Sequence, residues 1–372
     1  MVVTEENITS FLDDLGGDER EIIIPGSNPT MDKLNAVRDQ LFEEFNDDTI
    51  STGLQLFIKE EHQKICERLD KLTNNLQYEQ EDLKNFIFEN SNLDIDILEP
   101  VLGVYTAYLL DKLNLDFFYI NGLNNQFNYL FCNSKNCKNL IIENFSGFNI
   151  GLYISTTGLL AYINNKGKNI GLEVGYDGKT DDPFYDMEMK GRTNNVFFIN
   201  NKGKQIGFSA AHATKASFIA FINNEGEYTA KSFCEHGDID TLFALNNKGD
   251  YFGKSIAEYG KINNLILKDN KGINPLNNLD HNDTKIENAY LINNENIGYI
   301  NSHCIKNCYV YNKIPQREHP NNNFTKEDVM PKFHQFLLQK NLIPVIKIAN
   351  NPDQCTGEDF AKYLVKISEE IR

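Results

Sequence analysis

Aligned on a glycine that recurs through the middle of the chain, His212, His281 and His303 fall in one column with Glu235 and Glu258, nine residues past the glycine in all but the last repeat, which is shifted by two. Thr156 and Tyr176 complete the column, and Asp177, His236, Tyr259 and Asn282 form the next. Imidazoles and carboxylates in register are a donor set for a divalent metal, with His212, His281 and His303 as ligands. They could equally divide general acid and base work among Glu235, Glu258 and His236. Two neighbouring carboxylates, Glu235 and Glu258, are also the pairing that raises one carboxyl pKa. A surface reading competes: corners of repeat folds are wet, and Glu and His pair there for little gain. No glycine-rich phosphate loop, Gly-x-Ser-x-Gly elbow or His-Glu-x-x-His helix accompanies the column.

A second set lies within 179–190, where Asp181, Asp182, Asp186 and Glu188 surround Phe184 and Tyr185. Aromatic rings among acids on an inserted loop are expected to meet a protein partner, because loops that protrude from repeat arrays carry contacts.

These positions depend on a repeat. The phrase Ile163-Asn164-Asn165-Lys166-Gly167 returns at Ile199–Gly203, Ile222–Gly226 and Leu245–Gly249, with weaker copies at Ile142–Gly147, Lys268–Gly272 and Ile292–Asn296. Gly203, Gly226, Gly249 and Gly272 are 23 residues apart, while Gly167 and Gly203 are 36 apart, which leaves 13 extra residues for the loop near 179–191. Apolar residues before the phrase tend to alternate, as in Phe197–Ile199, and the Asn-Asn-Lys-Gly corner tolerates positive φ. An apolar-small pair follows, as in Ile150-Gly151, Ile170-Gly171, Ile206-Gly207 and Phe252-Gly253. Short strands with tight corners, stacked coil on coil, are the implied architecture. Asn side chains in one row would hydrogen-bond along a ladder that holds the corners.

The Gly-x-x-apolar-Gly cadence over 140–310 resembles the right-handed β-helix repeats of the glutamate synthase C-terminal domain, and is similar to those found in formylmethanofuran dehydrogenase. That resemblance implies a right-handed parallel β-helix acting mainly as a structural platform, and it supplies no catalytic residue. A 23-residue period also resembles that of membrane-contact repeats made of antiparallel hairpins.

The fold class expected is therefore α+β: a β-solenoid over 115–314, a helical domain over 30–114 and a C-terminal α/β cap over 315–372, after an acidic tail and linker at 1–29. Ile58, His62, Ile65, Leu69, Leu72 and Leu76 follow heptad spacing and indicate a helix packing in its own domain, with self-association as the alternative. Helices are also expected near 80–90 and 97–113. In the tail, Thr325 and Asp328 suggest one helix cap, Pro344–Ala349 a strand, and Thr356 with Asp359 the capping box of a last helix.

Residues 1–140 hold 26 acidic and 11 basic side chains, whereas 141–310 hold 19 and 16. The chain carries no basic stripe, so direct nucleic-acid binding is disfavoured, while an acidic end suits a basic protein surface. The seven cysteines and the absence of a leader-like start point to the cytoplasm, with no membrane contact. Cys132 and Cys137 would lie roughly 30 Å from Cys304 and Cys308 in a stacked array, too far for one zinc site. No cofactor is implied. The function these features suggest is a non-catalytic platform that binds a protein partner. A carbohydrate-active or metal-dependent enzyme using the His/Glu column is the alternative.

Overall fold

The computed structural model describes residues 28–45, 59–93, 95, 98–174, 191–192, 194–211, 214–234, 237–256, 259–272, 284–295, 304–311 and 329–371. Among these residues four helices come first: α1 (Pro29–Glu44), α2 (Lys59–Leu72), α3 (Gln80–Glu89) and α4 (Glu99–Leu113). Asn28 caps α1, its Oδ1 accepting from the Thr30 N–H at 3.0 Å, and Pro29 takes the first turn, where its missing N–H costs nothing. Ile65 and Leu69 of the heptad pattern are buried, and α2 packs on α4 within the chain.

Thirteen strands follow: β1 (Phe118–Asn121), β2 (Leu140–Glu143), β3 (Ser146–Phe148), β4 (Leu159–Ile163), β5 (Lys166–Lys168), β6 (Gly191–Arg192), β7 (Asn195–Ile199), β8 (Lys202–Lys204), β9 (Thr214–Ile222), β10 (Asp238–Leu245), β11 (Lys261–Lys268), β12 (Lys285–Ile292) and β13 (Ile305–Tyr311). One long sheet runs β1-β2-β4-β7-β9-β10-β11-β12-β13, with β6 beside β9, and a narrow one runs β3-β5-β8. Every pairing among the described residues is parallel, so the chain forms a β-solenoid and the antiparallel-hairpin likeness does not apply. The 23-residue coil holds from β9 to β11, where Ile219, Leu242 and Leu265 are register partners. The earlier coil is shorter, Leu140 pairing with Leu160, and the difference goes into the strands, five residues in β4 against nine in β9.

The corners explain the Asn-Asn-Lys-Gly phrase. Its first Asn adopts a left-handed conformation in each copy, φ being 54° at Asn164, 55° at Asn200 and 54° at Asn223. Its second Asn points inward as a continuous ladder. Asn224 accepts from the Asn201 N–H at 3.0 Å and from Asn201 Nδ2 at 3.1 Å, and donates to the Phe198 carbonyl at 2.8 Å and to Asn247 Oδ1 at 3.0 Å. The pattern repeats through Asn247, Asn270 and Asn294, all buried, so each amide's cost of burial is offset by its neighbours. The glycine is dictated by approach: a Cβ on Gly203 would lie 1.7 Å from the Gly167 carbonyl oxygen.

The third side of the described coils consists of turns, where short strands were expected from the period-two pattern. Alternate residues there have positive φ, as at Gln205 (62°), Gly207 (61°), Ser209 (48°) and Ala211 (59°). Consequently the N–H groups point alternately to the next coil and to the preceding one: Gln205 donates to Glu227 O and Gly207 to Ile170 O. Period two is preserved, but through alternating handedness rather than a pleat.

At the first coil the preceding neighbour is missing, and side chains of the helical segment replace it. The Phe131 N–H donates to Thr106 Oγ1 at 3.3 Å, where Gly151 one coil later uses the Leu130 carbonyl. The Lys135 N–H donates to the Asp111 carboxylate at 2.9 Å, and the Gln126 N–H to Asn92 Oδ1 at 2.8 Å. Helix α4 lies so close that a Cβ on Gly103 would meet the Tyr129 carbonyl oxygen at 2.4 Å. One apolar core runs from Leu34, Phe86 and Tyr105 into the solenoid interior.

The tail contributes α5 (Val329–Gln339), α6 (Ile343–Asn350) and α7 (Gly357–Glu370). The strand expected at 344–349 is thus helical. Pro344 occupies the first turn of α6, where it is tolerated, and Val345, Ile348 and Ala349 bury one face. These helices lie along the outer face of the long sheet, over Ile141, Ala161, Phe197, Ile199, Phe218 and Ile222. They descend it from Tyr290 against Phe333 and Phe336, through Asn223 Nδ2 to Ala349 O and Asn200 Nδ2 to Pro352 O, to Glu143 at Gly357. The capping box expected at Thr356 and Asp359 is replaced by a group from the second strand. Buried Glu143 accepts from the Gly357 N–H at 2.9 Å, from the Thr356 hydroxyl and from Tyr119 Oη at 2.7 Å. A carboxylate at the first N–H of α7 serves as its cap and complements its dipole. The Thr325 and Asp328 cap lies outside the described residues. None of the described helices is long and apolar enough to cross a membrane.

Candidate binding surfaces

Glu235, Glu258, His236, His212, His281 and His303 lie outside the described residues, as do Asp181, Asp182, Phe184, Tyr185, Asp186 and Glu188. Of the two columns, Thr156 is buried and Tyr259 exposed. Among the described residues no three His, Cys, Asp or Glu side chains are grouped to hold a metal ion. Cys132 and Cys137 belong to the first coil and Cys308 to the last strand. Burial pushes the Cys137, Cys308 and Cys355 thiols up to about 12, so they remain protonated and apolar at neutral pH. In a pocket of about 350 Å³ between α2, α4 and the first coil, burial and then the Lys135 ammonium lower the His62 pKa to about 4, and burial raises Cys66 to about 11. Imidazole and thiol are both neutral there, a pairing unsuited to nucleophilic catalysis.

Two surfaces are built by the stack itself. The first is a polar groove of about 1000 Å³ along the corners. The left-handed Asn row makes its floor: Asn124, Asn144, Asn164, Asn200, Asn223 and Asn246, ending in Asp269. One wall carries the exposed side chains of Lys166, Lys202, Glu225, Lys248 and Lys271, and the other is the Ala349–Thr356 stretch of the tail.

The second surface is the outer side of the turn face. Five residues past the corner glycine its column reads Leu152, Leu172, Phe208, Lys231 and Lys254, preceded in the first coil by Cys132. Cys132 and Leu152 form a small apolar cluster with Tyr129, extended by half-buried Tyr153 and Leu172. Phe148 adds a ring 36% exposed, 5.2 Å from Tyr129. Further along the stack Tyr228 and Tyr251 lie 5.2 Å apart and nearly parallel, with Lys231 4.7 Å from the Tyr228 ring centre and Lys254 5.5 Å from that of Tyr251. Cation–π contact steadies the ammonium groups while leaving them at the surface. The face thus changes from apolar to cationic over a few coils. Sequence reasoning missed it, although the column alignment that yielded the His/Glu set yields this one at a different offset.

No family model matches the chain, and neither the curated proteins nor the solved structures include a match.

Proposed function

We propose that this protein is a non-catalytic platform whose turn face binds a protein partner. The observation that carries the reading is the column Leu172, Phe208, Lys231 and Lys254, half-buried throughout, apolar at one end and cationic at the other. Aromatic rings bounded by charge are the usual composition of a recognition surface. The partner segment that fits it is apolar at one end and acidic at the other. In this reading the N-terminal helices close the first coil, where Thr106, Asp111 and Asn92 take over the role of a preceding coil. The surplus acid of residues 1–140, 26 against 11, gives a second point of attachment to a basic surface. The loop at 179–190 supplies a third, and the setting is cytoplasmic. The platform role is also what the likeness to the glutamate synthase repeats implies.

The test is affinity capture of the full chain from its source cell, repeated with Lys231→Glu plus Lys254→Glu and with Phe208→Ser. A stoichiometric partner retained by the native protein should be lost with the charge reversal and weakened with Phe208→Ser. Equal recovery with all three proteins would refute a role for this face.

A further inference from the structure

We infer that the corner groove is a binding site for a linear, neutral, hydroxyl-rich chain such as an oligosaccharide. It is independent of the partner surface, since it occupies a different side of the coil. Its length follows from the stack: seven floor residues one coil apart span about 29 Å at the spacing of neighbouring strands.

Its chemistry follows from which valences the fold has already used. Asn164 Nδ2 donates to the Cys355 carbonyl at 3.2 Å, Asn200 Nδ2 to Pro352 O at 3.0 Å and Asn223 Nδ2 to Ala349 O at 3.0 Å. The tail therefore consumes donors of the floor amides and leaves it rich in acceptors, Asn164 Oδ1 and Asn223 Oδ1 among them. The facing wall is rich in donors: Lys166, Lys202, Lys248 and Lys271 have exposed side chains on four coils. Although Lys166 Nζ donates to Asn124 Oδ1 at 3.3 Å, and Lys202 and Lys271 pair with Glu225 and Glu295, each ammonium carries three N–H groups. A hydroxyl group both donates and accepts, so a row of hydroxyls can bond to floor and wall at once. A polyanion fits less well. Glu225 interrupts the lysine row, its carboxylate 3.6 Å from Lys202 Nζ, while Asp269 ends the floor and Asp353 stands on the opposite wall. Asn246 also lines the groove, and among the described residues no hydrogen bond holds its side-chain amide.

The experiment is calorimetric titration of the full chain with maltohexaose and cellohexaose, with linear polyphosphate as the charged counterpart. Saturable binding of a neutral hexasaccharide is expected, weakened about tenfold or more in the double variant Asn246→Gly plus Lys248→Met. Glycine keeps the left-handed backbone at 246, so the variant should melt with the native protein and separate ligand loss from misfolding. Two results would overturn the inference: no binding of either hexasaccharide at about millimolar concentration, or binding of polyphosphate alone that disappears in about 0.5 M salt. Native-like affinity in the double variant would remove the groove as the location. Partner capture through the turn face is unaffected by any of these outcomes, so the two proposals fail separately.

Discussion

The outer face of the long sheet and the outer face of the turns are built on the same coils, yet only one is covered. The sheet buries residues on both sides, as in β7, where Val196 and Phe198 face the interior while Phe197 and Ile199 meet the tail helices. A sheet with two apolar faces needs a layer on each, and α5 to α7 provide the outer one. On the turn side, an inward column is uniformly apolar, reading Ile154, Val174, Ala210, Phe233 and Ile256. The outward column changes character from coil to coil, which stacking does not require. Uniformity thus marks the positions that hold the stack, and variation along a column marks those free to serve another purpose.

The largest expected effect breaks the stack beneath both faces. Gly203→Ala would force a Cβ into the Gly167 carbonyl from a backbone with φ of 146°, and should cost about 4 kcal/mol or more, seen as loss of the cooperative melt. Phe197→Ala against Phe208→Ala sharpens the contrast directly. The first empties a site under the tail helices and should cost about 4 kcal/mol, whereas the half-buried ring should cost under about 1 kcal/mol in denaturant titration. Equal losses would mean that the turn face is as structural as the sheet. Asn224→Ala removes a rung, leaves the Asn201 N–H unpaired in a dry interior and withdraws a side-chain donor from the Phe198 carbonyl and from Asn247 Oδ1; about 3 kcal/mol is expected from chemical unfolding. Glu143→Gln leaves the same shape with a poorer cap and should cost about 2 kcal/mol, appearing as faster hydrogen exchange in α7 than in the coils.

A further effect, confined to acid pH, concerns the helical end. His62 has a folded pKa of about 4 against an ordinary 6.5, so the unfolded chain takes up its proton first as the pH falls. Its contribution is intact above pH 6.5 and is lost on the way down to about pH 4, on the order of 2 kcal/mol once partial solvent access is allowed for. His62→Gln should flatten that limb of the stability profile, and an unchanged slope there would show that the imidazole is not held neutral.

Much of the fold can be read from the chain because its determinants are local and repeated. The left-handed Asn, the close-packed glycine and the ladder amide each act within one corner, and 23-residue spacing announces the next. The tail is harder to place. Nothing near Pro344 states that its helix will face Phe197 and Ile199, well over a hundred residues away, and Val-Ile-Lys-Ile looks like a strand when that neighbour is unknown. Thr356 and Asp359 satisfy the spacing of a capping box, yet the cap arrives from Glu143, a residue no local rule connects to α7. As for the candidate surfaces, the groove's amides and lysines are in plain view as Asn-Asn-Lys, but their remaining valences depend on which carbonyls the tail brings to them.

The order of residues is enough to dictate the coil, its corners and the row each side chain joins, since those follow from backbone conformations and steric limits within a single repeat. Which outer face is covered, how α7 is capped and which amide groups remain for a ligand are set by folding at long range. Those outcomes are contacts between segments far apart in the chain, and only the folded stack brings them within hydrogen-bonding distance.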